Sequence, residues 1–378
     1  MQIKIEAREV PSKTWQVLSP IVALLATAMC GILLFRLLGK SPFTALTTLF
    51  VAPLSSFYEL TELAVKAAPI LLSAVGLAVC FQAKVWNIGV EGQFTMGAIF
   101  ASAVAIAFSN LNNYGLLLIC ILAGVAGGVA WGSIPAWLKV QFNANEILTS
   151  LMLNYIAISV LNYLVRGALK DPQSYKFPES ALFSEFATLP ILIPQTRIHL
   201  GVLLAIVAAL LIWVLLAQTF FGFQVRVVGS SLPAANYAGI ERDRIIWLSL
   251  LISGGLAGLA GACEVLGPIG QLRPTISPGY GYAAIIAAFI GRLNLLGIIL
   301  STLLLALLYV GGELLQIKLT LPLALAGVFQ GILFLFFLAA DFLFSTAYVL
   351  SNKIAFTAFV TRATIISHTT KYRCVDIY

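Results

Sequence analysis

The segment from Asn87 to Gln93 carries the polar side chains with the clearest potential for chemistry in this sequence. It places two amides, Asn87 and Gln93, and one carboxylate, Glu91, between two apolar runs at roughly 63–81 and 94–109. A charge at the mouth of a membrane span is costly to keep, so such a group usually lines an aqueous path or holds a broken helix. The segment predicts a polar element on a permeation route, and a solvated loop with a helix cap is the alternative.

Other polar positions lie within or at the end of apolar runs. Asn154 and Tyr155 lie in one such run, and Glu264 ends another just before Gly267-Pro268. An intramembrane carboxylate generally faces the bundle interior or water, and the alternative for Glu264 is a bond to a backbone N–H exposed by the break. For Asn154, a hydrogen bond between helices is favoured over contact with a solute.

The remaining ionisable residues do not form the pattern of a soluble enzyme. The 2 histidines and 5 cysteines show neither the spacing of a metal site nor that of a disulfide framework. We therefore expect no catalytic residue, no metal and no cofactor in this chain. Glu62 and Lys66, four residues apart on one helix face, predict an ion pair at a helix rim.

Composition places the chain in a membrane. Of its 378 residues, 60% are hydrophobic and only 10% are charged, and the mean hydropathy is +1.00. The apolar residues form long stretches, which predicts an all-α, polytopic helical membrane protein with about ten transmembrane segments. The net charge of +7 comes from basic residues scattered between these stretches, a pattern that favours anchoring at the lipid surface and argues against nucleic-acid binding.

Ten apolar runs bounded by charge, Pro, Gly or Asn are candidate spans. The eighth is short and flanked by glycines, so it predicts a half-helix, and the run 43–57 predicts a re-entrant or interfacial piece. Division into five plus five spans suggests an inverted repeat with broken helices, in which 87–97 corresponds to 267–282. The runs lie near 16–38, 62–82, 92–109, 114–138, 146–165, 199–217, 244–266, 280–291, 295–315 and 322–343.

Two further patterns predict packing and orientation. Glycines recur every four residues at Gly124, Gly128 and Gly132, and again at Gly254 and Gly258, which predicts close helix packing. With the N-terminus inside, the larger share of the 22 lysines and arginines falls on the cytoplasmic side, so both termini are expected there. That orientation places the proline-rich loop 167–198 outside and the loop 218–243 inside.

The loop 218–243 carries a second functional signal. Pro233 suits the first turn of a helix, Ala234 and Ala235 favour helix, and Gly239 suits the C-terminal end. Tyr237 would project from this short helix. The pattern predicts a docking element for a partner, and a connector that packs on its own bundle is the alternative.

These segments, in their order and spacing, resemble the inner-membrane permease subunits of ATP-binding-cassette (ABC) importers. The branch serves branched-chain amino acids, ribose-type sugars and nucleosides, and the chain is most similar to the nucleoside permeases that work with basic-membrane-lipoprotein binding proteins. The resemblance covers residues 60–343 approximately. We expect residues 1–343 to form a transmembrane permease domain, and residues 344–378 to form a cytoplasmic tail of unassigned role. Its motifs are Glu62-Leu63 with Lys66-Ala67-Ala68-Pro69, Trp86-Asn87-Ile88-Gly89-Val90-Glu91-Gly92-Gln93, Leu153-Asn154-Tyr155, Arg226-x-x-Gly229, Ala234-Ala235-x-Tyr237-Ala238-Gly239-Ile240 and Ser277-Pro278-Gly279-Tyr280-Gly281.

The resemblance also implies partners and roles. It implies cytoplasmic ABC ATPase subunits, a second permease subunit in a homodimer or heterodimer, an external substrate-binding lipoprotein, and a bacterial-type inner (plasma) membrane location. The alanine-and-glycine loop would be the coupling helix that docks into the ATPase. Together with the polar positions above, the predicted substrate-path residues are Asn87, Glu91, Gln93, Asn154, Tyr155, Glu264 and Tyr280. The predicted coupling residues are Arg226, Gly229, Ala234, Ala235, Tyr237, Ala238 and Gly239.

The leading prediction is therefore a permease subunit of an ABC importer. It would move a small solute, with a nucleoside implied by the resemblance, that an external binding protein delivers, and ATP hydrolysis would belong to a separate chain. An ion-coupled secondary transporter that uses Glu91 or Glu264 as a proton site is the alternative. A membrane scaffold that moves nothing is the third hypothesis.

Overall fold

The computed structural model describes residues 2–7, 13–174 and 177–351. Over these ranges, nine helices are long and apolar enough to cross a membrane, and two shorter apolar segments accompany them. The described part of the chain therefore confirms a polytopic helical architecture. The eighth predicted run forms a helix of only 11 residues, which is too short to cross a bilayer. The predicted half-helix therefore accounts for the difference between ten apolar runs in the sequence and nine long helices in the described residues.

The helices follow the predicted apolar runs, and polar side chains cap several of their ends. Ser56 accepts a hydrogen bond from the backbone N–H of Glu59, and Asn145 accepts one from that of Ile147, which satisfies amides that a helix start leaves free. In chain order the helices are α1 (Lys13–Leu37), α2 (Pro42–Phe50), α3 (Phe57–Gln82), α4 (Val90–Ala107), α5 (Gly115–Phe142), α6 (Glu146–Arg166), α7 (Leu200–Gln218), α8 (Phe220–Ser230), α9 (Leu232–Tyr237), α10 (Arg242–Glu264), α11 (Tyr280–Ile290), α12 (Leu295–Leu319) and α13 (Ala324–Ser345).

The chain divides into two compact units. The first comprises residues 1–29 and 332–378, and it contains an antiparallel pair of strands, β1 (Gln2–Ala7) and β2 (Thr346–Ser351). Neither strand is predicted from the sequence, because a pairing between distant segments leaves no local signal. Of the predicted tail 344–378, residues from 352 onward lie outside the described residues. The second unit comprises residues 30–331 and holds all the predicted site residues.

Helix α3 lies at the centre of the second unit, since most of its side chains between Leu63 and Phe81 are buried. Helices α5 and α10 cross where both lack side chains. An added Cβ at Gly128 would lie 2.1 Å from the carbonyl oxygen of Gly254, and one at Gly258 would lie 2.4 Å from that of Gly124. Backbones can approach this closely only at small residues, so the packing predicted from the glycine spacing is confirmed.

Candidate functional site

The break between α3 and α4 is held by a buried cluster of polar side chains, which we call the Asn87 cluster (Asn87, Gln93 and Ser253). The Asn87 amide donates to the Gln93 side-chain oxygen at 3.0 Å and to the Ser253 hydroxyl at 2.9 Å. Its own oxygen accepts from the backbone N–H of Gly89 at 3.0 Å. All three members are buried. Their hydrogen bonds therefore join the broken segment to α10.

Asn154 of α6 clamps the same segment from the other side. Its side-chain oxygen accepts from the backbone N–H of Gly92 at 2.8 Å, and its amide donates to the carbonyl of Ile88 at 2.9 Å. An added Cβ at Gly92 would lie 2.9 Å from that same oxygen. Helix α6 can therefore approach α4 this closely only because residue 92 is a glycine. Asn154 makes a hydrogen bond between segments, as predicted from the sequence.

Glu91 connects this break to the second one. Its buried carboxylate accepts from the backbone N–H of Gly281 at 2.7 Å, in the first turn of α11. A negative charge at a helix N-terminus is favourable, because it meets free N–H groups and the positive end of the helix dipole. The left-handed backbone of Gly279, with φ +100°, starts this half-helix, and the Ser277 hydroxyl accepts from the N–H of Tyr280 at 2.8 Å.

Tyr155 follows Asn154 in sequence but points away from the break. Its side chain is 59% exposed on the outer face of α6, whereas Asn154 is buried. Tyr155, Ser159 and Tyr163 line a shallow hollow of about 380 Å³ on this face. The structure therefore separates the predicted path residues into a buried set, which supports the breaks, and one exposed tyrosine.

Glu264 and Tyr280 line a different space, which we call the charged cavity (Lys66, Arg197, Glu264, Tyr280 and Glu313). It has a volume of about 460 Å³ and lies where α10 ends and α11 begins. Helix α10 closes there with a π-helical turn over Val265–Ile269 that contains Pro268. Glu264 and Tyr280 are thus brought together by the second break, while Asn87 and Gln93 lie at the first.

The prediction that Glu62 and Lys66 form an ion pair with each other is wrong. Lys66 lies 2.7 Å from Glu313 of α12, and Glu62 lies 3.1 Å from Arg197 in the loop before α7. Each side chain finds a partner on another element, which spacing along one helix cannot reveal. The two bridges fix α3 to α12 and to the loop 167–198 around the charged cavity.

His199 is a residue beside the charged cavity that the sequence analysis does not single out. It caps α7, because its Nδ1 accepts from the backbone N–H of Gly201 at 3.1 Å. Burial, helped by the nearby positive charge of Arg197, lowers the pKa of His199 from 6.5 to about 4. The imidazole therefore stays neutral at neutral pH and can act as an acceptor. The sequence carries little signal for this role, because histidine is not among the usual N-cap residues.

The loop predicted to couple to a partner folds as two helices, α8 and α9. An added Cβ at Gly229 of α8 would lie 1.9 Å from the carbonyl oxygen of Gln82 at the end of α3. The Arg226 guanidinium donates to the carbonyl of Leu216 in the last turn of α7. Gly229 and Arg226 therefore attach α8 firmly to the ends of two spanning helices.

Helix α9 projects from this base. The Ser231 hydroxyl accepts from the N–H of Ala234 at its start, and Gly239, with φ +70°, follows its end. Tyr237 is 97% exposed, and Ala234, Ala238 and Gly239 are also exposed. Ala235 is buried and faces the bundle. Of the five predicted contact residues on this segment, four are therefore accessible and one anchors the helix.

A bundle of spanning helices with two breaks that meet inside it, and a short exposed helix at one end, defines a multi-pass membrane transport protein. Residues 59–338 match the family described as the permease component of the branched-chain amino acid transport system. The chain belongs to this family and is a permease subunit of an ABC transporter. Permeases of this kind work with separate ATPase and binding-protein subunits.

Three relatives illustrate the similarity. The chain is 35% identical to the glucose ABC transporter permease protein of Haloferax volcanii over 334 aligned residues. The alignment covers 86% of this chain and 87% of that protein. It is 33% identical to the guanosine ABC transporter permease protein of Bacillus subtilis, over 84% of this chain and 92% of the relative. It is 26% identical to a nucleoside ABC transporter permease protein of Lactococcus lactis, over 79% and 85% respectively.

Proposed function

We propose that the protein imports a nucleoside, as one of two permease subunits driven by ATPase subunits that bind α9. The observation that carries this proposal is the build of α9, which is anchored through Ala235 and exposes Tyr237 almost completely. Because α9 is capped at both ends and held on one side only, its open side is suited to dock against a partner. Relatives described as guanosine and nucleoside permeases support the substrate class.

The end of the bundle that carries α8 and α9 would face the cytoplasm. Basic residues gather at this end, where they border the cavities beside α8, and the positive-inside rule favours that side for them. They are Lys84, Lys139, Arg226, Arg242 and Arg292. The proposed orientation places the charged cavity and the loop 167–198 on the outer side, where an external binding protein, expected to be a lipoprotein, would deliver the solute.

Closure of the ATPase subunits would reach the membrane through α8. Because Gly229 touches the backbone of Gln82, a shift of α8 displaces the end of α3 directly. The bond from Arg226 to Leu216 extends the same displacement to α7. Because the two backbones are in direct contact, no flexible side chain between them can absorb the displacement of α8.

The solute path would run along the exposed face of α6, between this chain and a second permease. The buried amides of the Asn87 cluster are occupied by one another, whereas Tyr155, Ser159 and Tyr163 present hydroxyl groups outward from a spanning helix. Polar groups on a membrane helix favour protein or water over lipid. The tyrosine rings are suited to contact the flat face of a nucleobase.

Glucose is the second candidate substrate, favoured by the 35% identity to the Haloferax glucose permease. Proteoliposomes that hold the permease pair, its ATPases and its binding protein distinguish the two solutes by uptake of radiolabelled guanosine or glucose. We expect ATP-dependent uptake of guanosine, reduced at least tenfold (on the order of 1.4 kcal/mol) by Tyr237→Ala. Uptake is expected to be unchanged by Tyr58→Ala, at the start of α3 and far from the end that contacts α8. Uptake without ATPase subunits, or uptake abolished by a protonophore while ATP is present, would contradict the proposal.

A further inference from the structure

A cavity beside α8 is not used by the proposed solute path. It has a volume of about 520 Å³ and is bounded by α3, α7, α8 and the turn between α11 and α12. Its walls are apolar and include Val75, Ala209, Ile212 and Ile298. A pocket of this size accommodates a small molecule or part of a larger one.

The cavity reaches the ends of spanning helices, since Gln82, Arg292 and Leu295 line it, and we call this end its mouth. Helix α3 ends at Gln82, α7 ends at Gln218 and α12 begins at Leu295. The mouth is therefore at the level where the hydrocarbon gives way to headgroups. Trp213, which is 44% exposed, lines the cavity, and tryptophan is enriched at membrane–water interfaces.

Charge at the mouth has one sign. Arg226 of α8 and Arg292 of the turn between α11 and α12 both line the cavity. None of the described residues that line it is acidic. An occupant with an anionic group at the mouth and an apolar body inside matches this distribution of charge.

The backbone that presents Arg292 is unusual. Arg292 and Leu293 are consecutive non-glycine residues in the left-handed region, with φ +51° and +57°. The Gln82 side chain donates to the Leu293 carbonyl at 3.2 Å and so ties this turn to the end of α3. Strained conformations persist where surrounding contacts enforce them, and they cluster at ligand sites.

We propose that this cavity binds an anionic phospholipid. Its phosphate lies between Arg226 and Arg292, and one acyl chain lies along the walls formed by α7 and α12. Basic pockets between spanning helices are suited to anionic headgroups, and a neutral nucleoside or sugar offers no charge for the two arginines. Because Arg226 also fixes α8 to α7, the bound lipid stiffens the connection between α9 and the spanning helices.

Lipid binding is tested on the purified full chain in nanodiscs, with Trp213 as the reporter. Brominated phosphatidylglycerol is compared with brominated phosphatidylcholine for quenching of the fluorescence that Trp213→Phe removes. We expect preferential quenching by the anionic lipid. The variant Arg226→Gln keeps a donor for the Leu216 carbonyl, and Arg292→Asn suits the left-handed backbone, so each removes charge with little strain.

Each of these variants is expected to weaken the lipid preference roughly fivefold. Arg36→Gln, at the end of α1 and outside the cavity, is the matched control and keeps the full preference. The double variant Arg226→Lys, Arg292→Lys also keeps most of it, which separates loss of charge from loss of fold. Equal quenching by both lipids, or an unchanged preference in the charge-removing variants, overturns the proposal. So does a crosslink from Ala217→Cys to a second permease chain, which would show that protein covers the cavity.

Discussion

The carboxylate of Glu91 accepts a hydrogen bond from the backbone N–H of Gly281 at 2.7 Å, and this contact joins the two broken helices. An added Cβ at Gly281 would lie 2.6 Å from the backbone nitrogen of Glu91, so the two segments meet without an intervening side chain. A buried carboxyl group that looks expensive in the sequence thus finds a hydrogen-bond donor at a helix N-terminus. Glu91 stabilises the half-helix α11 and positions both breaks relative to each other.

Replacement of Glu91 therefore tests the connection between the breaks. Glu91→Ala removes a hydrogen-bond acceptor from a buried helix start, and we expect it to lower the free energy of unfolding by about 2 kcal/mol. Glu91→Gln keeps an acceptor and is expected to lose roughly half as much. Thermal unfolding of the purified protein measures both. Equal stability of Glu91→Ala and the unmodified chain would show that the contact does not hold α11.

Contact between α8 and α3 is tested at Gly229. A methyl group there would meet the Gln82 carbonyl oxygen at 1.9 Å, and backbone cannot move aside as a side chain can. We expect Gly229→Ala to destabilise the protein by about 2 kcal/mol and to uncouple ATP hydrolysis from uptake. Gly327→Ala on α13 is the matched control, because nothing lies within 4 Å of its added Cβ. Similar stability and uptake in the two variants would refute the proposed transmission route.

His199 gives the structure a defined pH dependence. Its pKa is about 4 in the folded protein and 6.5 ordinarily, so the unfolded chain binds more protons between these values. Stability must then fall as pH falls from about 6.5 towards 4, with a loss of about 2 kcal/mol at pH 5. His199→Asn keeps a capping acceptor but cannot titrate, so its stability is expected to change less over this window. Identical pH profiles for the two proteins would exclude His199 as the source.

Much of the fold follows from the sequence for a simple reason. A bilayer demands about twenty apolar residues per span, and each long run in the described part forms a helix close to its predicted bounds. Gly279 and the short run after it predict the half-helix α11 for the same reason. The contacts that position the breaks are different, because Glu91–Gly281 and Asn87–Ser253 join residues far apart in sequence.

The sequence predicts the local contacts of single polar residues better than their tertiary partners. The type and place of Asn154 predict a hydrogen bond between segments, and the structure contains it. The neighbouring positions Asn154 and Tyr155 point in different directions, which only the rotation of α6 determines. Lys66 pairs with Glu313 instead of Glu62, because tertiary packing supplies a partner that helical spacing does not contain.

Accessibility of Tyr155 tests the proposed path. Tyr155→Cys is expected to react with a water-soluble thiol reagent in the assembled transporter, because a solute path admits water. Leu210→Cys on α7 serves as the comparison. The Leu210 side chain is 51% exposed, and in the membrane this position would face lipid. Bound solute is expected to slow labelling of Tyr155→Cys at least threefold. Equal labelling of both cysteines, unaffected by solute, would place the path elsewhere.

The most direct test of the account is a crosslink from α9. Tyr237→Cys is placed opposite single cysteines in the ATPase subunit, in a complex reconstituted from the permease pair and its ATPases. The account predicts a disulfide crosslink that forms within minutes and changes in yield when ATP binds, while Tyr58→Cys gives none. If Tyr237→Cys captures no ATPase subunit, or if an impermeant reagent reaches it only from outside the cell, α9 is not the coupling helix and the proposed import mechanism is contradicted.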